Sequence, residues 1–374
     1  MTEVAVNSPY FGNYQTVKLA LDGVEMQNLL LLGLFFVLIL LTIRKGEATA
    51  LLSPRQSLQL RGFVSMLVVI GHLWTHVTRE HALLVSHGET VFMFLFLSGL
   101  GLTMSFKKGH TDAGWFARRR LVRVMVPYWI ITAILLPLDW FLLGRGYSAG
   151  ELLMTLAGIN TTTRLNHIDY GRWYVTFLLI WYGLFFLSYH LLRGRRSGWV
   201  LFGGSLLLFF IYRQYAFAHQ FFAFPIGCLV AERYTTVASF FKRYERSLVL
   251  AAGALILFVV FFKMLLLPWL YLSVPYAAGP FLLLQEGENL LFALALCILM
   301  GAAGARGYES RLLILCGTVS YEVFLIHGAL LIKYNPVFPH IDTAVAGMIP
   351  AFLLWAVFLY AVARSVNRVF LAIK

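Results

Sequence analysis

Apolar runs alternate with short polar links along most of the chain. A bilayer's apolar core, about 30 Å thick, takes roughly 20 helical residues. Eleven segments meet or approach that length: 26–43, 60–77, 89–106, 124–143, 173–192, 199–212, 215–231, 247–270, 289–304, 312–332 and 343–363. The sixth and seventh are short and joined by a tight turn at Arg213. The links carry the polar residues. Residues 107–123 hold six Lys and Arg, and 232–246 are polar and basic. The longest link, 144–172, contains Asn160, His167 and Asp169, and 271–288 contains Glu286 and Glu288. The pattern predicts an all-α fold, a polytopic membrane helical bundle of about 10–11 transmembrane helices. Residues 1–25 read as an external N-terminal tail and 26–374 as a single membrane domain.

Composition agrees. The 374 residues are 60% hydrophobic and 13% charged, with a mean hydropathy of +0.78, whereas soluble domains carry about 25% charged residues. A net charge of +13 on a soluble protein would suggest nucleic acid. Here its distribution gives another reading, and no nucleic-acid partner is expected. Twenty-two of the 30 Lys and Arg fall in alternate links and the C-terminal tail, on one side of the membrane. The positive-inside rule then predicts a plasma (inner) membrane protein with its N-terminus outside and its C-terminus cytoplasmic. Cys228, Cys297 and Cys316 lie in apolar runs without metal-ligand spacing, so neither a disulfide framework nor a metal site is expected.

Against this apolar background the ionisable residues stand out. Residues 60–77 carry Arg61 near one end and His72 and His76 near the other. Eleven helical steps from Arg61 to His72 make three turns plus about 20°, so the two share a face about 16 Å apart along the axis. An ionisable residue at membrane depth is costly and marks a functional site or a buried partner. On the basic side, Arg118, Arg119, Arg120 and Arg123 cluster before an aromatic helix start. Such a group either sets topology or holds the phosphates of a cytosolic donor through its rigid guanidinium forks. Ser98, Gly99 and Gly101 suit close helix packing, and Glu89 at the outer boundary reads as solvated. Trp173 reads as interfacial or as a platform for a sugar ring. Ser320, Tyr321, Glu322 and His327 share the tenth span. Glu322 and His327, five apart, point about 140° away from each other, so they are expected to meet different partners.

Four stretches, in chain order, together carry a resemblance. Arg61 and His72 stand ten residues apart. Phe92–Gly99 is a Phe-rich run ending Ser-Gly. Arg120-x-x-Arg123 precedes Pro127 and Tyr128. Gly317, Ser320 and Tyr321 are followed by Leu325 and His327. Over residues 58–363 the chain resembles the membrane acyltransferase-3 family, acyl-CoA-dependent O-acyltransferases of extracytoplasmic glycans. It departs from that pattern in an extra span, 26–43, before the core and in the absence of an acidic residue just after Trp173.

The resemblance implies an enzyme that moves an acyl group from cytosolic acyl-CoA, commonly acetyl-CoA, to a hydroxyl of an extracytoplasmic sugar or polysaccharide. Acyl-CoA is then a co-substrate, and no bound cofactor is expected. His72 and Arg61 become the catalytic candidates, with His72 as general base. Arg118, Arg119, Arg120 and Arg123 become the donor site. His76, Trp173, Ser320, Tyr321, Glu322 and His327 remain candidates for acceptor contact or support. The alternative reading is a transporter or exporter of a glycan or lipid-linked precursor. A scaffold or sensor would not need the intramembrane polar groups.

Overall fold

The computed structural model describes residues 24–74, 87–109, 112–160, 168–191, 197–212, 220–267, 269–270, 279–338 and 348–373. Helices build it: α1 (Val24–Leu41), α2 (Pro54–Leu73), α3 (His87–Lys107), α4 (Ala113–Leu143), α5 (Ala149–Leu156), α6 (Trp173–Phe185) and α7 (Ser197–Tyr212). They continue as α8 (Ala223–Glu232), α9 (Tyr234–Phe261), α10 (Gly279–Ala305), α11 (Arg311–Thr318), α12 (Ser320–Ile332) and α13 (Met348–Ile373). Within the described residues each of the eleven expected apolar runs contains helix. Among the described residues five helices are long and apolar enough to cross a membrane, six if α11 and α12, bent by 74°, are counted as one span. The chain is an all-α, multi-pass membrane protein.

Several helices outrun the expected spans. Hydropathy marks where a chain leaves the apolar layer, but Lys, Arg and Glu are good helix formers and carry the helix on into water. So the basic stretch 107–123 is not a link throughout: α4 starts at Ala113, where the Asp112 carboxylate caps the Trp115 N–H at 2.5 Å. The basic stretch 232–246 belongs largely to α9, with an irregular residue at Tyr244, and the C-terminal tail is helical to Ile373. Glu286 and Glu288 lie buried inside α10 rather than in a link. α2 begins before its apolar run because Ser53 caps it and Pro54 opens its first turn. The expected tenth span breaks at Val319 between α11 and α12.

Two reciprocal glycine contacts bring the central helices together. A Cβ on Gly62 of α2 would run into the Leu313 carbonyl of α11, and one on Gly317 of α11 into the Leu58 carbonyl of α2. Gly99 of α3 and Gly227 of α8 are placed likewise against the carbonyls of Phe224 and Phe96. The packing role expected of Gly99 holds: small residues let backbones approach where lipid supplies no hydrophobic drive.

A short antiparallel ribbon, β1 (Ile43–Lys45) and β2 (Tyr308–Ser310), ties the link after α1 to the link after α10. Glu309 sits between Arg44 and Arg55 at 2.7 and 2.6 Å. Hydrogen bonding to Arg55, more than burial opposes, pulls its carboxyl down to about 2. The ribbon, the starts of α2 and α4 and the end of α13 all lie at one basic end of the bundle.

Candidate active site

At the basic end α2, α3, α4, α6, α11, α12 and α13 line a cavity of about 420 Å³. Arg61 enters from α2, Arg120 and Arg123 from α4, Ser98 and Gly101 from α3, Tyr174 and Tyr182 from α6, and Ser320, Tyr321 and Glu322 from α12. The kink at Val319 points the first turn of α12 into this space. Tyr321 then anchors α12 to α4 by donating to the Val124 carbonyl at 3.0 Å, beside Arg123.

The arginines here form no ion pair among the described residues. Among the described residues, none of Arg61, Arg118, Arg119, Arg120 and Arg123 pairs with a carboxylate. Glu322 lines the same cavity but accepts from Asn367 Nδ2 at 2.8 Å. Arg120 lies over the Tyr182 ring at 5.9 Å, and its buried Nε has no hydrogen-bond partner. Three arginines around one largely buried space repel one another. An anion bound among them removes that cost.

The four clustered arginines do not act as one group. Arg120 and Arg123 line the cavity, whereas Arg118 and Arg119, with Trp115, Val122 and Arg123, line a second concavity of about 380 Å³.

His72 lies on the last turn of α2, on the same uninterrupted helix as Arg61. It does not line the cavity. Its ring instead meets that of His327 on α12, with centroids 5.1 Å apart. His327 is fully buried, and its Nδ1 lies 2.8 Å from the Phe324 carbonyl and 3.1 Å from that of Val323. Both partners can only accept, so Nδ1 carries the proton and Nε2 keeps its lone pair. The Phe324 ring, which lines the cavity, stands 5.8 Å from the His327 ring. With Phe94 at 6.0 Å and Tyr174 at 4.7 Å it closes the cavity on the side of the histidines.

The different partners expected for Glu322 and His327 are found: Asn367 for one, His72 for the other. Trp173 opens α6 half-buried against Tyr174 and Phe177 and does not line the cavity, whereas Tyr174 does. His76 lies outside the described residues.

A second set of charged groups occupies the opposite end. Asp139, fully buried in α4, receives Lys333 Nζ at 2.9 Å, Tyr334 Oη at 2.5 Å and the Tyr147 hydroxyl. Arg172 is buried, donates to Thr132 Oγ1 at 2.8 Å and stacks on Tyr128 at 4.7 Å. Burial pushes the neighbouring Asp169 carboxyl up to about 6, against the pull of Arg172. Glu89, expected to be solvated, is buried and paired with Lys263 of the turn that follows α9. A partial signal exists in the chain: Asp139 and Lys263 interrupt apolar runs, and an intramembrane charge implies a partner.

No curated protein and no solved structure matches the chain. The family model of an acyltransferase domain matches residues 58–365, a stretch that contains every residue of the cavity except Phe370, together with both histidines. With most of its length matched, the chain belongs to the acyltransferase-3 family of membrane acyltransferases.

Proposed function

We propose that the protein is an O-acyltransferase, of the class transferring acyl groups other than amino-acyl groups. It moves an acyl group, acetyl being the simplest, from cytosolic acyl-CoA to a hydroxyl of an extracytoplasmic sugar or polysaccharide. It would do so in the plasma (inner) membrane, with the N-terminus outside and the basic end facing the cytosol. One observation carries the donor assignment: among the described residues the arginines around the cavity pair with no carboxylate, and CoA supplies the phosphates that guanidinium groups hold well. Arg61, Arg120 and Arg123 hold the donor, and its thioester arm runs along α2 past Phe324.

His72 takes the proton of the acceptor hydroxyl as its oxygen attacks the thioester carbonyl. The C–S bond breaks, and the leaving thiolate ends protonated as CoA. His327, whose Nδ1–H is committed to the backbone, orients the His72 ring from the other side. Direct transfer and a transient acyl-histidine differ in kinetics: only the second gives ping-pong behaviour and a burst.

Purified protein in vesicles, supplied with labelled acyl-CoA inside and a polysaccharide acceptor outside, tests the proposal. Label transferred to the acceptor supports it. Acceptor movement across the membrane without CoA release overturns it in favour of export. Mass spectrometry of the surface glycan, with and without the protein, identifies the acyl mass.

A further inference from the structure

The second concavity, lined by one face of α4, shares Arg123 with the main cavity. At about 100° per residue, Trp115, Arg118, Arg119 and Val122 occupy one sector of α4. Arg120, Val124 and Pro127 face the main cavity from a sector roughly 160° round the helix, and Arg123 stands between and lines both spaces. The Arg119 guanidinium stacks on the Trp115 ring at 4.7 Å. Arg118 and Arg123 are exposed, and among the described residues neither they nor Arg119 meets a carboxylate. Asp112, on the same helix end, is engaged in capping.

We infer that this pocket of Trp115, Arg118 and Arg119 holds the 3′-phosphorylated adenosine end of the donor, while the main cavity holds its thioester arm and Arg123 bridges the diphosphate between them. The inference rests on the acyl-CoA reading above. An acyl-CoA molecule has two separate anionic groups, a diphosphate and a ribose 3′-phosphate, with a flat purine beside the latter. Two arginine-lined spaces joined by a shared arginine match that division. An Arg–Trp stack offers planar surface to a purine, and base–aromatic stacking is sequence-tolerant and strong enough to orient it. Topology-setting charge alone requires neither a concavity nor the stacked aromatic. A phosphate bound at the same arginines could also come from an anionic lipid headgroup, and the experiment separates the two sources.

The full-length protein in nanodiscs of neutral phosphatidylcholine is assayed with acetyl-CoA, 3′-dephospho-acetyl-CoA and acetyl-pantetheine. Wild type is expected to show KM about 10- to 100-fold higher for the dephospho donor, the size of a charge-assisted hydrogen bond to a phosphate. In R118Q/R119Q the KM for acetyl-CoA rises to the dephospho value, and the ratio between the two donors collapses to near one. Trp115→Leu raises KM for both nucleotide donors and leaves acetyl-pantetheine unaffected. The single variant Arg118→Gln gives the same readout, a fall in the donor ratio, if the double variant does not fold. A ratio as large in R118Q/R119Q as in wild type overturns the inference. So does a wild type with no discrimination whose activity appears only when anionic lipid is added, which assigns the pocket to a headgroup. Transfer from none of the three donors overturns the acyl-CoA reading itself, and the inference falls with it.

Discussion

The two ends of the bundle both bury charge, and they do so in opposite ways. At the far end Lys333 meets Asp139 and Lys263 meets Glu89, each carboxylate answering a cation from another helix. At the basic end Arg61, Arg120 and Arg123 surround an open space and, among the described residues, pair with no carboxylate, Glu322 of the same lining being bonded to Asn367. Paired charges in a membrane interior hold helices together. Like charges held around a cavity cost stability unless a ligand neutralises them, so their persistence points to binding. An intramembrane charge is therefore informative chiefly through its partner.

The largest effect that would test the contrast lies beside the cavity. His72→Ala should lower kcat by about 10²–10⁴-fold, the usual worth of a general base, with thermal stability unchanged. A folded variant with full transfer removes His72 from the chemistry. The paired end should respond in the reverse sense. Asp139→Asn strands Lys333, and breaking one side of a buried pair costs about 3–5 kcal/mol, read as a lower melting midpoint in detergent. Replacing Asp139 and Lys333 together by apolar residues should recover much of that loss, and a double variant as unstable as the single one would deny the pairing its role.

Helix contact comes next. Gly62→Ala forces α2 away from the Leu313 carbonyl and should cost about 1–3 kcal/mol, as overpacking does; an unchanged melting point would mean that the helices slide freely. Phe324→Ala removes the ring between cavity and histidines. Donor hydrolysis without acceptor should then rise several-fold relative to transfer, and an unchanged ratio would show that the ring excludes no water.

The ribbon should matter least. Its ion pairs are solvent-facing, and such pairs contribute about 0–1 kcal/mol. Glu309 titrates near 2 in the folded protein and near 4.3 when unfolded. Its depressed value means that the contribution is present above about pH 4.3 and is lost as pH falls towards 2. Glu309→Gln should therefore shift the melting point slightly at pH 7 and not at all near pH 2. A shift that grows on acidification would contradict the pairing.

Much of the architecture is legible in the amino-acid order alone. Eleven apolar runs become helices because a backbone in lipid must satisfy its own hydrogen bonds, so hydropathy by itself reveals the bundle. Arg61 and His72 lie on one helix because nothing between them breaks it. The four matching stretches point to the family that the match over residues 58–365 confirms. Where helices end is not legible, since charged residues extend α4, α9 and α13 into water as readily as they begin a loop.

Which polar groups meet follows from how the helices pack. His72 pairs with a histidine from the other end of the chain, Glu322 with Asn367, and Lys333 with Asp139. Four arginines within six residues are shared out between two concavities, Arg123 lining both, because a helix turns successive side chains about 100° apart. Periodicity along a chain specifies the face a residue presents. Its partner is set by the packing of helices distant in sequence, here at glycines where two backbones touch, and local pattern carries no record of that distance.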